Sequence, residues 1–226
     1  MVRGEDGVFA HARAGALLID MSTIRPDVAK AVAEEGRAKG LRVLDAPVSG
    51  GEAGAIEGTL SIMVGGVETD VDAAMPVFAV LGKTIVHVGP SGSGQIVKAA
   101  NQLIVAGTIE LVSEALVLID SYGVDLGRAV EVLSGGLAGN AILTRKVPGM
   151  LRRDFSPGFR IDLHQKDLSI GLDAIRAAGV AAPLSVLVTS LLAAVRAQGL
   201  GSLDHSALLL QVEQLSGRGR GDSPLR

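Results

Sequence analysis

The segment VHVGPSGSGQIVKAANQ, from Val86 to Gln102, separates two parts of the sequence that have different patterns. An apolar run typical of a buried strand ends at Gly89, a glycine-rich loop follows, and an apolar helical pattern starts at Gln95. Before this segment, short apolar runs alternate with helical or glycine-rich stretches, which favours an α/β sheet. After it, no stretch has a strand pattern. The sequence therefore predicts an α/β part followed by an all-α part.

Strands and helices alternate in the first part. The helix RPDVAKAVAEEGRAKG, Arg25–Gly40, has a proline suited to its first turn and a glycine at its end. A short second helix is expected near Val71–Leu81. The predicted strand segments are GALLIDMS (15–22), LRVLDAPVSGG (41–51, a strand that runs into a loop), LSIMVGG (60–66) and TIVHVG (84–89).

The second part is predicted to hold five helices: Gln95–Tyr122, Leu126–Ser134, Leu163–Ala178, Pro183–Gln198 and His205–Leu215. The first of these is long enough to cross a membrane, but its charged and amide side chains favour a buried helix. Asp204 is expected to cap the last one. The predicted domains are residues 1–92 and 93–216, and the glycine-rich, charged end 217–226 is expected to be disordered.

Composition excludes several classes of function. The 226 residues include no cysteine, so disulfides, zinc–thiolate sites and cysteine nucleophiles are excluded. A net charge of −3 and an aromatic content of 2% give no reason to expect a nucleic-acid partner. The four histidines have no metal-ligand spacing, and we expect no metal. The start of the sequence lacks a signal-peptide pattern, and we expect a cytoplasmic protein without a membrane partner.

The glycine-rich loop raises the question of a dinucleotide site, because Gly92-x-Gly94 follows a strand and opens a helix. Val97 stands where the third small residue of such a fingerprint belongs. No parallel strand ending in an acidic residue follows within one βαβ unit. We therefore interpret the glycines as a flexible connector between domains rather than as a phosphate loop.

Lys98 is unusual because the helix around it is otherwise apolar. Asn101 and Gln102 lie three and four residues further on, so both share its helix face. A buried ammonium needs partners, and two amides cannot neutralise it, whereas an anionic ligand could. A lysine that extends its charged end to the surface is an equally good reading of the spacing alone.

Four blocks in this order resemble the β-hydroxyacid dehydrogenase family. They are LIDMST (18–23), LDAPVSGGEAGAIEGTLSIMVGG (44–66), GSGQIVKAANQ (92–102) and FSPGFRIDLHQKDL (155–168). Within the family, GGLAGNAIL, FRIDLHQKDL and DHSALL are similar to the tartronate semialdehyde reductases, also called 2-hydroxy-3-oxopropionate reductases. The resemblance implies the C-terminal remainder of a Rossmann-type cofactor domain, followed by an all-helical domain for substrate binding and dimerisation.

The resemblance also implies a role for particular residues. Lys98 would be the catalytic residue, which would stabilise the developing alkoxide and supply the proton. Substrate would be bound by Ser49, Gly50, Gly51, Asn101 and Gln102, although many family members have asparagine in place of Gln102. The cofactor, NAD or NADP, would lie against Ser22, Thr23, Lys166 and Asp167. The expected substrate is a small 3-oxo or 3-hydroxy acid, and the expected assembly is a homodimer or homotetramer.

The sequence departs from the family in one important respect, because it contains no Gly-x-Gly-x-x-Gly. The first βαβ unit of the cofactor domain is therefore expected to be absent, and the remaining sheet is expected to expose an apolar edge. Two alternatives to a tartronate semialdehyde reductase stay open. The chain could be a 3-hydroxyisobutyrate dehydrogenase or a related reductase of small semialdehyde acids. It could also be an inactive remnant that folds only its helical half and dimerises through Gln95–Tyr122 and its neighbours.

Overall fold

The computed structural model describes residues 1–218 and divides the chain into two compact units. The first unit comprises Met1–Asn101 together with Asp173–Gly179, and the second comprises Gln102–Leu172 together with the described residues from Val180 onward. Helix α5, Ser93–Ser121, starts in the first unit and continues into the second. The predicted domain bounds of 1–92 and 93–216 stay a prediction. Residues 219–226 of the predicted disordered end lie outside the described residues.

The first unit is built on a mixed five-stranded sheet, whose central strand is β4 (Leu60–Gly65). This strand runs antiparallel to β2 (Arg42–Asp45) and β3 (Val48–Ser49), and parallel to β5 (Gly82–Gly89). Strand β1 (Leu17–Asp20) runs parallel to β2 at the edge of the sheet. All four predicted strand segments are confirmed. The segment 41–51 is divided between β2 and β3 at Pro47, which has no N–H to donate to a neighbouring strand.

The helices of the first unit cover this sheet. They are α1 (Val8–His11), α2 (Pro26–Ala38), α3 (Gly51–Ile56) and α4 (Glu68–Leu81). The prediction for α2 is confirmed, with Pro26 at the start of the helix. Helix α4 is longer than predicted, since its first turn also includes two acidic residues, which stabilise a helix N-terminus. Two apolar clusters form the core, one around Leu44, Ile62 and Phe78, the other around Phe9, Val32 and Val43.

The second unit is helical. After α5 come α6 (Leu126–Gly135), α7 (Ala141–Arg145), α8 (Val147–Arg152), α9 (Ile161–Ala178), α10 (Pro183–Val195) and α11 (Leu208–Leu215), with a π-helical turn at Arg196–Leu200 and a 3₁₀ turn at His205–Ala207. The last residues of α9 belong to the first unit. All five predicted helices are confirmed, whereas the short helices α7 and α8 were not predicted. Buried side chains of α5, α8, α9, α10 and α11 form one core, which includes Ile109, Met150, Leu168, Leu192 and Leu208.

Two helical segments, Ser93–Ser121 and Pro183–Leu200, are long and apolar enough to cross a membrane by length and composition alone. Half of the apolar window of the first is buried inside the fold, as in the core helix of many globular proteins. The second is mostly exposed, with 22% of its window buried. Length and hydropathy therefore do not distinguish a core helix from a spanning one here.

The glycine-rich loop before α5 is held by the carboxylate of Asp45, which lies at the end of β2. Asp45 accepts hydrogen bonds from the backbone N–H of Gly92 (2.7 Å) and of Gln95 (3.1 Å), and it is 5% exposed. A side chain at Gly94 would collide with the Met63 carbonyl oxygen and with Asp45. Gly92 has a φ of +89°, which favours glycine. Close packing, rather than the flexibility of a connector, accounts for these glycines.

The close approach at Gly94 gives a test of this packing. We expect Gly94→Ala to lower the free energy of unfolding by about 1–3 kcal/mol, because the new methyl group has no space. The matched control is Gly135→Ala in α6, where an added Cβ would meet nothing within 4 Å. That change should leave stability unchanged or raise it by about 0.5–1 kcal/mol. Urea unfolding measures both, and equal effects would contradict the packing argument.

Candidate active site

Lys98 lies on a buried polar face of α5. Its side chain is 6% exposed, and Gln95, one turn earlier, is 1% exposed. Gln102, four residues further on, is also buried. The spacing alone allowed either a buried ammonium or a lysine that extends its charged end to the surface. The structure shows the buried one. A cation in this position is partly withdrawn from water, which strengthens its interaction with an anion. Asn101, on the same side, is half-buried.

Gln95 fixes the segment that follows β1. Its side-chain Nε2 donates to the Ser22 carbonyl (2.8 Å), and its Oε1 accepts from the backbone N–H of Ile24 (3.1 Å). The peptide that carries Ser22 and Thr23 is thus held by both ends of one buried amide. Ser22 N–H also donates to the Asp20 carboxylate at 2.9 Å. Two of the predicted cofactor-binding residues therefore lie at a defined position, next to the helix that carries Lys98.

Ser49, Gly50 and Gly51 form the turn from β3 into α3. Ser49 pairs with Ser61 of β4, and α3 starts directly at Gly51. The φ angles of Gly50 and Gly51 are +140° and +65°, values that other residues rarely adopt. The turn itself therefore requires both glycines. Their predicted part in binding a substrate carboxylate stays a prediction.

Three further predicted residues are connected in the second unit. The side-chain Nε2 of Gln102 donates to Asp167 Oδ2 at 2.7 Å, and both side chains are buried. Lys166 lies 2.9 Å from Asp167 Oδ1 and is 49% exposed. The structure therefore joins Gln102, Lys166 and Asp167, whereas Lys98 and Asn101 belong to the first unit.

Asp204 organises the loop before α9 and the start of the final helices. Its carboxylate accepts from the backbone N–H groups of Gly158, Phe159 and Ser206, and from Ser206 Oγ. Lys146 Nζ lies 2.8 and 3.0 Å from its two oxygens. The prediction that Asp204 caps a helix is confirmed. Asp204, His205 and Ser206 are the residue types of a hydrolase triad, but the hydroxyl of Ser206 donates to Asp204 and not to His205, so they are not arranged as one.

The charge on Asp204 is strongly favoured. Burial by itself would raise the pKa of this carboxyl, but the positive charge of His205 and the hydrogen bonds from Lys146 and Ser206 outweigh it and lower the pKa to about 2. Asp204 is thus a fixed negative charge at all ordinary pH values. It is an anchor for its surroundings rather than a proton donor.

Comparison with known proteins identifies the family. Residues 1–89 match the model for the NAD binding domain of 6-phosphogluconate dehydrogenase, and residues 92–212 match the model for the NAD-binding domain of NADP-dependent 3-hydroxyisobutyrate dehydrogenase. The chain belongs to the β-hydroxyacid dehydrogenase family. It is 44% identical to the 2-hydroxy-3-oxopropionate reductase of Escherichia coli, over 94% of this chain and 73% of that protein.

The names of two other relatives of this β-hydroxyacid dehydrogenase indicate different substrates. It is 35% identical to the 2-(hydroxymethyl)glutarate dehydrogenase of Eubacterium barkeri, over 96% of this chain and 72% of that one. The solved 3-hydroxyisobutyrate dehydrogenase of Mycobacterium tuberculosis, with L-serine, has a TM-score of 0.80 and 36% identity. That likeness covers 89% of this chain and 71% of the solved chain. The cofactor of the family is NAD or NADP.

The loop before α5 does not fit the pyrophosphate of such a cofactor. The loop at Gly92 and Gly94 offers no place for a pyrophosphate, because its N–H groups already bind the Asp45 carboxylate, whose charge would repel a phosphate. In the first unit, Ser22 and Thr23 are fixed by Gln95 and would suit the nicotinamide side. The cofactor contact predicted for Lys166, in the second unit, stays a prediction.

Several residues of this site were missed by sequence reasoning. In the first unit, Asp45 and Gln95 hold the segments that carry Ser22, Thr23 and Lys98. In the second unit, Lys146 pairs with Asp204, and His164, which contacts His205, bonds to the Gln102 carbonyl. The one available signal was a polar residue in an apolar stretch, as at Gln95. Within residues 1–218, no group of three or more histidines and carboxylates could hold a metal ion, and the expected absence of a metal stays a prediction.

Asp204 gives a prediction for stability against pH. Its folded pKa is depressed, so its contribution is fully present above its unfolded pKa of about 4 and is lost as the pH falls through about 2. A shift of this size corresponds to about 2 kcal/mol.

We expect Asp204→Asn to be less stable than the wild type at pH 7, with a difference in the free energy of unfolding that shrinks between pH 4 and pH 2. Urea unfolding at several pH values measures it. The control is Asp72→Asn, an exposed carboxylate on α4; a pH-independent difference for Asp204→Asn would refute the assignment.

Proposed function

We propose that this enzyme reduces 2-hydroxy-3-oxopropanoate (tartronate semialdehyde) to glycerate with NADH or NADPH. The observation that carries the proposal is the 44% identity to a 2-hydroxy-3-oxopropionate reductase, which extends over almost the whole chain. When bound, the cofactor supplies the hydride that reaches the aldehyde carbon. The aldehyde oxygen takes a proton from the protein, so that the product is an alcohol. The reaction fits a cytoplasmic enzyme.

Lys98 is the proton donor in this proposal. An aldehyde oxygen gains negative charge as the carbon is reduced, and a nearby ammonium stabilises that charge before it transfers its proton. Burial of Lys98 supports this role, because the interaction is stronger where water is excluded. The neutral amide of Gln95 on the same helix face adds no competing negative charge.

The remaining candidate residues bind the rest of the substrate. Ser49, Gly50 and Gly51 would hold the carboxylate through backbone N–H groups and a hydroxyl, and the absence of side chains at the two glycines supports close approach. Asn101 and Gln102 would hydrogen-bond the hydroxyl at C2. The side-chain nitrogen of Gln102 already donates to Asp167, and this bond fixes the orientation of the amide.

A second candidate function is self-association without catalysis. Ile104, Leu111 and Leu118 lie seven residues apart on α5, and each remains more than half exposed. Residues at this interval share one helix face, so together they form an apolar stripe on the second unit. A homodimer or homotetramer that buries this stripe fits both the active enzyme and an inactive remnant.

A substrate panel tests the proposed activity on the purified chain. We expect NADH or NADPH oxidation with 2-hydroxy-3-oxopropanoate, and a kcat/KM at least about tenfold lower with 2-methyl-3-oxopropanoate or succinic semialdehyde. The reason is that a site built to bind the C2 hydroxyl leaves polar groups unpaired when that hydroxyl is missing. Faster turnover of 2-methyl-3-oxopropanoate would favour a 3-hydroxyisobutyrate dehydrogenase. Turnover of none of the three by the folded chain would favour the second candidate.

Two lysine substitutions separate catalysis from cofactor binding. Lys98→Met should lower kcat by about a hundredfold or more while the cofactor Kd stays the same. The reason is that the ammonium stabilises a negative charge that develops only in the transition state. Lys166→Met should raise the cofactor Kd about tenfold, because one charged contact is lost. The control is Lys83→Met, at an exposed position on β5. Unchanged turnover in Lys98→Met would refute the catalytic role, and an unchanged Kd in Lys166→Met would refute the cofactor contact.

A further inference from the structure

Two histidines of the second unit lie in direct contact inside the core. His164 of α9 is fully buried, and His205 of the 3₁₀ turn is 5% exposed. Their Nδ1 atoms are 3.0 Å apart, which is hydrogen-bond distance. The ring of Phe159 packs edge-on against both imidazoles, with centroid distances of 5.6 and 5.5 Å. This pair has no part in the proposed chemistry, yet it lies beside residues that do.

The hydrogen bonds fix the proton positions of the pair. His164 Nε2 lies 3.1 Å from the Gln102 carbonyl oxygen, and a carbonyl only accepts, so this nitrogen carries a proton. In a neutral ring the Nδ1 of His164 is then an acceptor, and His205 Nδ1 must donate to it. Two imidazolium rings would place two N–H donors against each other at 3.0 Å. The pair can therefore hold at most one excess proton while the contact lasts.

The charged groups near the pair favour His205 as the ring that takes this proton. His205 Nε2 lies 3.9 Å from Asp204 Oδ1, whereas His164 faces a neutral carbonyl. Asp204 is itself paired with Lys146. On the other side, Asp167 lies one turn along α9 from His164 and is paired with Lys166. Both carboxylates thus have a lysine as partner, and a charge on His205 would add a second favourable interaction for Asp204 only.

Gln102 is held at two points by α9. Its backbone carbonyl accepts from His164, and its side-chain nitrogen donates to Asp167. The ring of His164 is in turn held by His205, and His205 follows directly on Asp204, which is anchored by five hydrogen-bond donors from four residues. The orientation of Gln102 thus depends on a chain of contacts that starts at Asp204.

We propose that His164 and His205 form a hydrogen-bonded pair that can hold at most one excess proton, and that this pair positions Gln102 for substrate binding. His164 and His205 are positioning residues, since they act through Gln102. The functional part of this inference rests on the proposed role of Gln102 as a substrate contact. The protonation pattern of the pair does not depend on that role, so the two can be tested separately.

The protonation pattern is measured on the wild-type chain by long-range ¹H–¹⁵N correlation NMR, which reports the proton on each imidazole nitrogen. We expect His164 to keep its Nε2 proton from pH 8 to pH 5, and only one of the two rings to become imidazolium in that range. Two imidazolium rings in the folded chain would overturn the inference. A deprotonated Nε2 on His164 would also overturn it.

Two substitutions at His205 test the positioning role. His205→Asn keeps an N–H donor near the place of Nδ1 but cannot ionise, and His205→Leu keeps neither property. We expect the side-chain amide signal of Gln102 to stay in place in H205N and to shift in H205L. His11→Leu is the control, because His11 is exposed and bonds only to the Glu5 carbonyl in the described residues. An unshifted Gln102 signal in a folded H205L would refute the role.

Kinetics then separate this inference from the proposed function. In H205L the KM for 2-hydroxy-3-oxopropanoate should rise roughly tenfold or more, with kcat and the cofactor Kd within about twofold of the wild type. H205N should restore the KM, which a loss of general stability would not explain. If H205L does not fold, the wild-type NMR titration still tests the protonation pattern, and the KM of H205N still tests the positioning role. If the chain reduces no aldehyde, the proposed function fails, and the NMR measurements alone decide whether the pair positions Gln102.

Discussion

The first unit depends on one buried carboxylate. Asp45, at the end of β2, accepts the N–H groups of Gly92 and Gln95 and so joins the sheet to the first turn of α5. A buried charge is stable only when it is compensated, and the start of a helix compensates a negative charge through its unpaired N–H groups and its dipole. Once α5 starts at this point, Gln95 can reach the Ser22 and Ile24 backbone. Lys98 lies one turn later on α5, so its position depends on the same two hydrogen bonds to Asp45.

The same geometry explains why the glycine-rich loop imitates a phosphate site. A helix N-terminus after a strand binds anions in general, and it does not distinguish a phosphate from a carboxylate of the same chain. In this protein an internal carboxylate occupies it. Gly94 is then needed for close packing against Met63 and Asp45, just as the glycines of a dinucleotide loop are needed for close approach of a ligand. A Gly-x-Gly spacing after a strand is therefore consistent with either use.

The parts of this structure that follow from sequence are those with local causes. Apolar periodicity and a first-turn proline were enough for α2, and periodicity alone for α5 and α9. The family blocks indicated Lys98 and Lys166. In contrast, the partners of Asp45 are 47 and 50 residues away, and His164 and His205 are 41 residues apart. Such contacts leave no local pattern, because each residue alone is consistent with a loop or an exposed helix position. Helices α7 and α8 have only five and six residues, too few for a periodic signal.

The choice of polar residues along α5 has a chemical reason. At three residues before Lys98, and at three and four residues after it, the sequence has amides and no carboxylate. A carboxylate at one of these positions would pair with the ammonium and weaken its attraction for an anionic substrate or a developing alkoxide. Amides can orient neighbouring groups by hydrogen bonds without neutralising the charge. In the second unit, the buried carboxylates Asp167 and Asp204 are each paired with a lysine. Their charges are thereby compensated within that unit.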